Sequence, residues 1–158
     1  MSMRPGEIIN MFNGVGAYKA QMNIADSEYA VPSLDYLVKA FCPFYRGELV
    51  RMGLGKWEPT WDCDDFAWQF YTQIRWAHYR TKESMAEGIA VGVVYFMSGA
   101  RAEGGGGGGH AINFAVVGGA DARKLVFIEP QFAGLENQPN PVIPLNEHEL
   151  RSIWFVNL

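Results

Sequence analysis

At Gly88 the sequence changes its period, and that change constrains the fold more than any other feature. Before it, from Asp64 to about Tyr79, the residues Phe66, Ala67, Phe70, Tyr71, Ile74 and Ala77 recur at the spacing of an amphipathic helix. After it, Ile89 to Met97 is rich in β-branched and aromatic residues, as a strand requires. His110 to Val117 and Lys124 to Ile128 read as two further strands, and Gly118-Gly119-Ala120-Asp121 as the tight connection of a hairpin. Helical patterns thus come first and strand patterns second. That order predicts an α+β class, with N-terminal helices packed on a C-terminal antiparallel sheet.

The flanking segments are less regular. Residues 7–22 place Ile8, Ile9, Phe12, Val15 and Tyr18 at roughly helical spacing, but Asn13, Gly14 and Gly16 predict an irregular or broken helix. Ser33 can cap a helix carrying Leu34, Leu37 and Val38, which Cys42-Pro43 is expected to end. A loop with Gly47, Gly53, Gly55 and Pro59 follows, and a helical turn is expected around Ser84–Glu87. The run Gly104 to Gly109 predicts a flexible surface loop. It is no phosphate loop, since it enters a strand and no Lys-Ser/Thr follows. Phe132 to Pro144 is loop-like, Asn146 to Leu150 a short capped helix, and Ile153 to Val156 a last strand.

At 158 residues, 49% of them apolar, the chain can bury a substantial core and is expected to form one domain over residues 1–158. Its net charge is −4 and no basic run stands out, which argues against nucleic acid or an anionic membrane as partner. Met1 to Glu7 lacks the apolar segment of a signal peptide, and no apolar run is long enough to span a bilayer. The expectation is a cytoplasmic or non-classically exported protein with reduced thiols. Cys42 and Cys63 lack the spacing of a thiolate metal site.

Chemistry concentrates in three places. Cys63 sits in Trp61-Asp62-Cys63-Asp64-Asp65 at the start of the amphipathic helix, where exposed N–H groups and the dipole favour a thiolate. The three aspartates push the other way, so an imidazolium is needed to tip the balance. His110 opens a strand, and Glu129 ends the next one, held extended by Pro130. With the turn at Gly118–Arg123, an antiparallel hairpin brings Glu129 level with His110 or Ile112, within reach of an imidazole N–H. Cys63, His110 and Glu129 are therefore the candidate nucleophile, base and orienting group. Asp62, Asp64 and Asp65 either complement the helix dipole or supply hard oxygen ligands to a cation.

A helix-initiating Cys, a His at a strand start and an acid ending the next strand resemble the papain-like and transglutaminase-like cysteine enzymes. Over about residues 50–135 the set is most similar to the C-terminal protease domain of fungal agglutinins of the Marasmius oreades type. Gln131 lies two positions beyond Glu129, and Trp57 shortly before Cys63. The resemblance implies a papain-like fold and a cysteine protease, a thiol hydrolase with a Cys63-His110-Glu129 catalytic triad acting on a peptide or protein substrate. It also implies activation by calcium, with Asp62, Asp64 and Asp65 as the acidic residues beside the nucleophile. The Cys63 backbone N–H plus Trp57 or Gln131 would meet the oxyanion or orient the substrate. The alternatives are transglutaminase-like or cell-wall amidase acyl transfer on the same three residues, and a non-catalytic binding module of the same fold.

Overall fold

The computed structural model describes residues 1–81, 86–98, 108–118, 122–134 and 140–158. The chain opens with β1 (Ser2–Met3), α1 (Pro5–Gly14), β2 (Gln21–Asn23) and β3 (Tyr29–Ala30). Pro5 stands in the first turn of α1, where its missing N–H costs no hydrogen bond, and the Glu7 carboxylate accepts from the Arg4 backbone N–H at 2.7 Å. Ile8 and Phe12 are its buried face. The helix stops at Gly14, and Gly16 then turns the chain at φ 94°.

A π-helical turn, Tyr36–Phe41, runs straight into α2 (Cys42–Arg51). This corrects the expectation that Cys42-Pro43 ends a helix: Pro43 lies in the first turn of α2, a position that proline tolerates. Gly47 accordingly belongs to α2 and not to a loop. The helix α3 (Cys63–Thr81) buries Phe66, Ala67, Phe70, Tyr71 and Ile74, the stripe the sequence carries. Then come β4 (Gly88–Ile89), β5 (Val91–Ser98), β6 (Gly108–Val117), β7 (Lys124–Ile128), α4 (Pro130–Gly134), β8 (Val142–Ile143), α5 (Glu147–Arg151) and β9 (Phe155–Asn157). Asn146 caps α5 reciprocally with Glu149: each side chain accepts from the other's backbone N–H at 2.9 Å. The glycine run enters β6 two residues before His110; the rest of it, most of the turn expected near Ser84 and the tip of the β6–β7 hairpin lie outside the described residues.

The strands form a six-stranded sheet, β2-β9-β5-β6-β7-β8, and a three-stranded one, β1-β3-β4. Both are mixed: β2 pairs parallel with β9, and β3 parallel with β4. The expected layout, N-terminal helices on a purely antiparallel C-terminal sheet, is corrected here. Strands from the first thirty residues join both sheets, and two- or three-residue strands carry too little alternation to be read in advance. Ile112, Phe114 and Val116 of β6 pack with Ile8 and Phe12 of α1. Ala115 and Val117 pack with Phe41, Tyr45, Phe66 and Phe70 of the π turn, α2 and α3. The sheet thus has α1 against one face and α2 with α3 against the other.

Where α3 crosses β5 and β6, Ala67 and Tyr71 pack on Val93 and Ala111. Asn113, fully buried, donates through Nδ2 to the carbonyls of Ala67 (2.9 Å) and Gly92 (3.1 Å). That clamp fixes the first turns of α3 on the sheet. Among the described residues no helix is long and apolar enough to cross a membrane.

Candidate functional site

Cys63 is the first residue of α3, half-buried, and both cysteines are free thiols. The turn that presents it is tied locally: Asp65 accepts from the Asp62 backbone N–H at 3.1 Å, and Phe66 N–H donates to the Asp62 carbonyl. Asp65 thereby serves the helix start.

The β6–β7 hairpin pairs Asn113 with Ile128 and Val117 with Lys124. One step beyond Ile128, Glu129 comes level with Ile112, two residues from His110, as the strand and turn lengths in the sequence demand. The imidazole Nε2 of His110 lies 2.8 Å from Oε2 of Glu129, with the two side chains 19% and 7% exposed. Glu129 is itself anchored. Its N–H donates to the Pro141 carbonyl, and its Oε1 accepts from the Gln131 N–H at 3.2 Å. Since Glu129 occupies Nε2, Nδ1 is left for Cys63, the other side chain hydrogen-bonded to His110. All three residues come together.

Burial opposes charge on His110, but the hydrogen bonds to Cys63 and Glu129 and their negative charge outweigh it, raising its pKa from 6.5 to about 9. The ring is therefore held as an imidazolium at neutral pH beside a sulfur at a helix N-terminus. Such a pair polarises the thiol and makes its sulfur a nucleophile toward an electrophilic carbon.

Two side chains that sequence reading missed complete the surroundings. Trp68 Nε1 donates to Tyr95 Oη at 2.8 Å, and with Cys63 both pack against Ala67, Tyr71, Val93 and Ala111. Burial pushes the Tyr95 phenol up, against the Trp68 hydrogen bond, and the negative charges of Asp64, Cys63 and Asp62 add to the rise. The i, i+5 step from Cys63 to Trp68 gives no facing signal in one helix, and Tyr95 joins only through the sheet. Trp57, expected as a donor, is instead 54% exposed in the loop ahead of Cys63. Gln131 acts through its backbone, on Glu129.

Asp62, Cys63 and Asp64 bring one ligand atom each within 4.8 Å of one another. A hydrogen bond that the Asp64 carboxyl donates to Asp62, then burial and the Asp62 charge, hold the Asp64 carboxyl above the usual carboxylate range. Two converging carboxylates fit a divalent cation taking its remaining oxygens from water; Asp65, engaged in its backbone bond, stands outside this group. Such a cation would supply charge neutralisation.

The chain is similar in fold to a structure described as the PSL1a-E64 complex, with a TM-score of 0.70 and 17% identity over 99% of this chain and 51% of the other. It is also similar to Polyporus squamosus lectin bound to the human-type influenza-binding epitope Neu5Aca2-6Galb1-4GlcNAc, with a TM-score of 0.63 and 17% identity over 99% and 49%. The chain spans about half the length of these structures. No curated protein matches it. A family model described as Agglutinin C-terminal matches residues 41–134, more than half of the chain. These findings correct the expectation of a papain-like or transglutaminase-like cysteine protease: where a thiol hydrolase with a catalytic triad and a peptide substrate was expected, the matches are an agglutinin family and a lectin. The fold is thus shared with the lectin structures, and the chain belongs to the Agglutinin C-terminal family.

Proposed function

We propose that the chain is a non-catalytic, carbohydrate-recognising module of an agglutinin-type protein, folding as one unit over residues 1–158, with Cys63, His110 and Glu129 as a functional centre. The observation that carries this reading is the agglutinin match over residues 41–134, which contains all three side chains. The glycan held by Polyporus squamosus lectin supports carbohydrate as the ligand class. The net charge of −4 suits a neutral or weakly acidic glycan better than a nucleic acid. In this role Glu129 keeps His110 charged, and the imidazolium and the polarised Cys63 sulfur meet a ligand at the N-terminus of α3 and hold it there.

The test combines binding and covalent probes. Titration calorimetry with Neu5Aca2-6Galb1-4GlcNAc is expected to show saturable binding. Intact mass after exposure to E64, a thiol-reactive probe, is expected to show one adduct that Cys63→Ser removes. Casein and an acyl-amide substrate are expected to remain uncleaved. Absence of glycan binding refutes the proposal, and so does any substrate turnover that Cys63→Ser abolishes. The second outcome would make the centre a catalyst.

A further inference from the structure

A groove of about 320 Å³ lies between α2 and α3, apart from the cluster at Cys63. Its α3 wall is a single stripe, Gln69, Thr72, Gln73, Trp76 and Arg80, at i, i+3, i+4, i+7 and i+11. The core stripe of Phe66, Phe70 and Ile74 runs beside it on the helix, with Gln73 at the border between the two. Gln69 of this stripe donates to the Met52 sulfur of the α2 side, and the stripe as a whole is not the charged, solvated face that a helix ordinarily turns to water.

Three features of the wall point to one kind of ligand. Trp76 is 62% exposed, so its ring is a flat apolar platform open to the groove. Gln73 has its Oε1 buried without a hydrogen-bond partner among the described residues, an acceptor that needs a hydroxyl or N–H donor. Arg80 has no ion pair among the described residues, whereas Arg51 across the groove is held by Glu48 at 2.8 Å. An aromatic plate, an unanswered acceptor and a free guanidinium fit a ligand with one apolar face, several hydroxyl donors and a carboxylate. An acidic sugar, rather than a peptide side chain or a second apolar surface, combines all three.

We infer that the α2–α3 groove is a saccharide-binding site for an acidic oligosaccharide, stacked on Trp76, donating a hydroxyl to Gln73 and presenting its carboxylate to Arg80. The inference rests on the carbohydrate reading above and adds a second saccharide contact, apart from the one at the Cys63 centre.

The full chain is titrated with Neu5Aca2-6Galb1-4GlcNAc and with its desialylated disaccharide, Galb1-4GlcNAc, while the tryptophan indole N–H signals are followed by NMR. Trp76 and Arg80 are exposed, so Trp76→Ala and Arg80→Gln leave the core untouched. The Trp76 indole is expected to shift on binding. Trp76→Ala is expected to weaken both sugars by roughly tenfold, the size of a lost aromatic contact. Arg80→Gln is expected to weaken the sialylated sugar alone, and Trp76→Phe to restore part of the affinity.

If the wild type binds the trisaccharide but Trp76→Ala binds equally well, the groove assignment is wrong and the carbohydrate reading stands. If the wild type binds neither sugar, the carbohydrate reading and this site fall together. If Trp76→Ala abolishes self-association in sedimentation without changing sugar affinity, the groove is a surface for a second copy and the proposal is overturned.

Discussion

Replacing Glu129 by Gln keeps the size and the hydrogen-bonding reach of the side chain and removes its charge. In the wild type the His110 pKa stands at about 9 against an ordinary 6.5, a folded-state preference for imidazolium worth at most about 3 kcal/mol. Glu129 and Cys63 share it. The Glu129 part is a buried, charge-assisted hydrogen bond of 2.8 Å, for which roughly 2 kcal/mol is an appropriate magnitude. The folded pKa lies above the unfolded one, so this stability is fully present below about pH 6.5 and is lost as pH rises through about 9. Glu129→Gln is therefore expected to lower the unfolding free energy by roughly 2 kcal/mol at pH 6 and by much less at pH 9.5. Urea unfolding at the two pH values measures this. A proton NMR titration of the His110 ring should in parallel show its midpoint falling well below 9. A variant whose His110 midpoint is unchanged, or whose loss is the same at both pH values, would refute the reasoning that Glu129 holds the charge.

Three further expectations follow from the same contacts. Cys42 is 4% exposed and its thiol is pushed up to about 12 by burial, so iodoacetamide at pH 7 should modify Cys63 alone; modification of Cys42 at a comparable rate in the folded protein would contradict its burial. A Cβ at Gly92 would lie 2.1 Å from the Asn157 carbonyl oxygen and 2.5 Å from the Phe114 ring, so Gly92→Ala should cost about 3 kcal/mol in chemical denaturation by forcing β9 off β5, and a neutral result would remove that close approach. If Asp62 and Asp64 hold a divalent cation, calcium should raise the melting temperature of the wild type but not of Asp64→Asn, and a wild type indifferent to calcium and EDTA removes the metal role.

How much was legible in the sequence varied with the range of the interaction. The α3 stripe and the β6–β7 register were readable, because period and turn spacing are local properties. The register in turn brought Glu129 to His110. Pro43 misled because a proline both stops one helix and suits the first turn of the next, and only the preceding π turn decides between them. The strands β1, β2 and β3 were invisible: two or three residues such as Tyr29-Ala30 have no alternation, and their pairing is set by distant partners. At the site, the covalent neighbours of Cys63 could be weighed directly. The Trp68–Tyr95 pair could not, since it forms only once α3 lies on β5. Function followed the same rule. A thiol, an imidazole and a carboxylate in order speak only for thiol-based acyl chemistry; the peptidase reading comes from the family resemblance, and local order alone says nothing of what the surrounding protein recognises.

Asn113 gives the molecule a spacer gauge. Its amide holds the Ala67 carbonyl, one helical turn beyond Cys63, against the Gly92 carbonyl of the sheet that carries His110. The gap between sulfur and ring is thus set by an uncharged group that takes no part in their proton sharing. A leucine at this position would fill similar space and leave the fold standing while letting α3 drift by fractions of an ångström. The hydrogen bond between Cys63 and His110 would then lengthen, with every side chain of the cluster still in place.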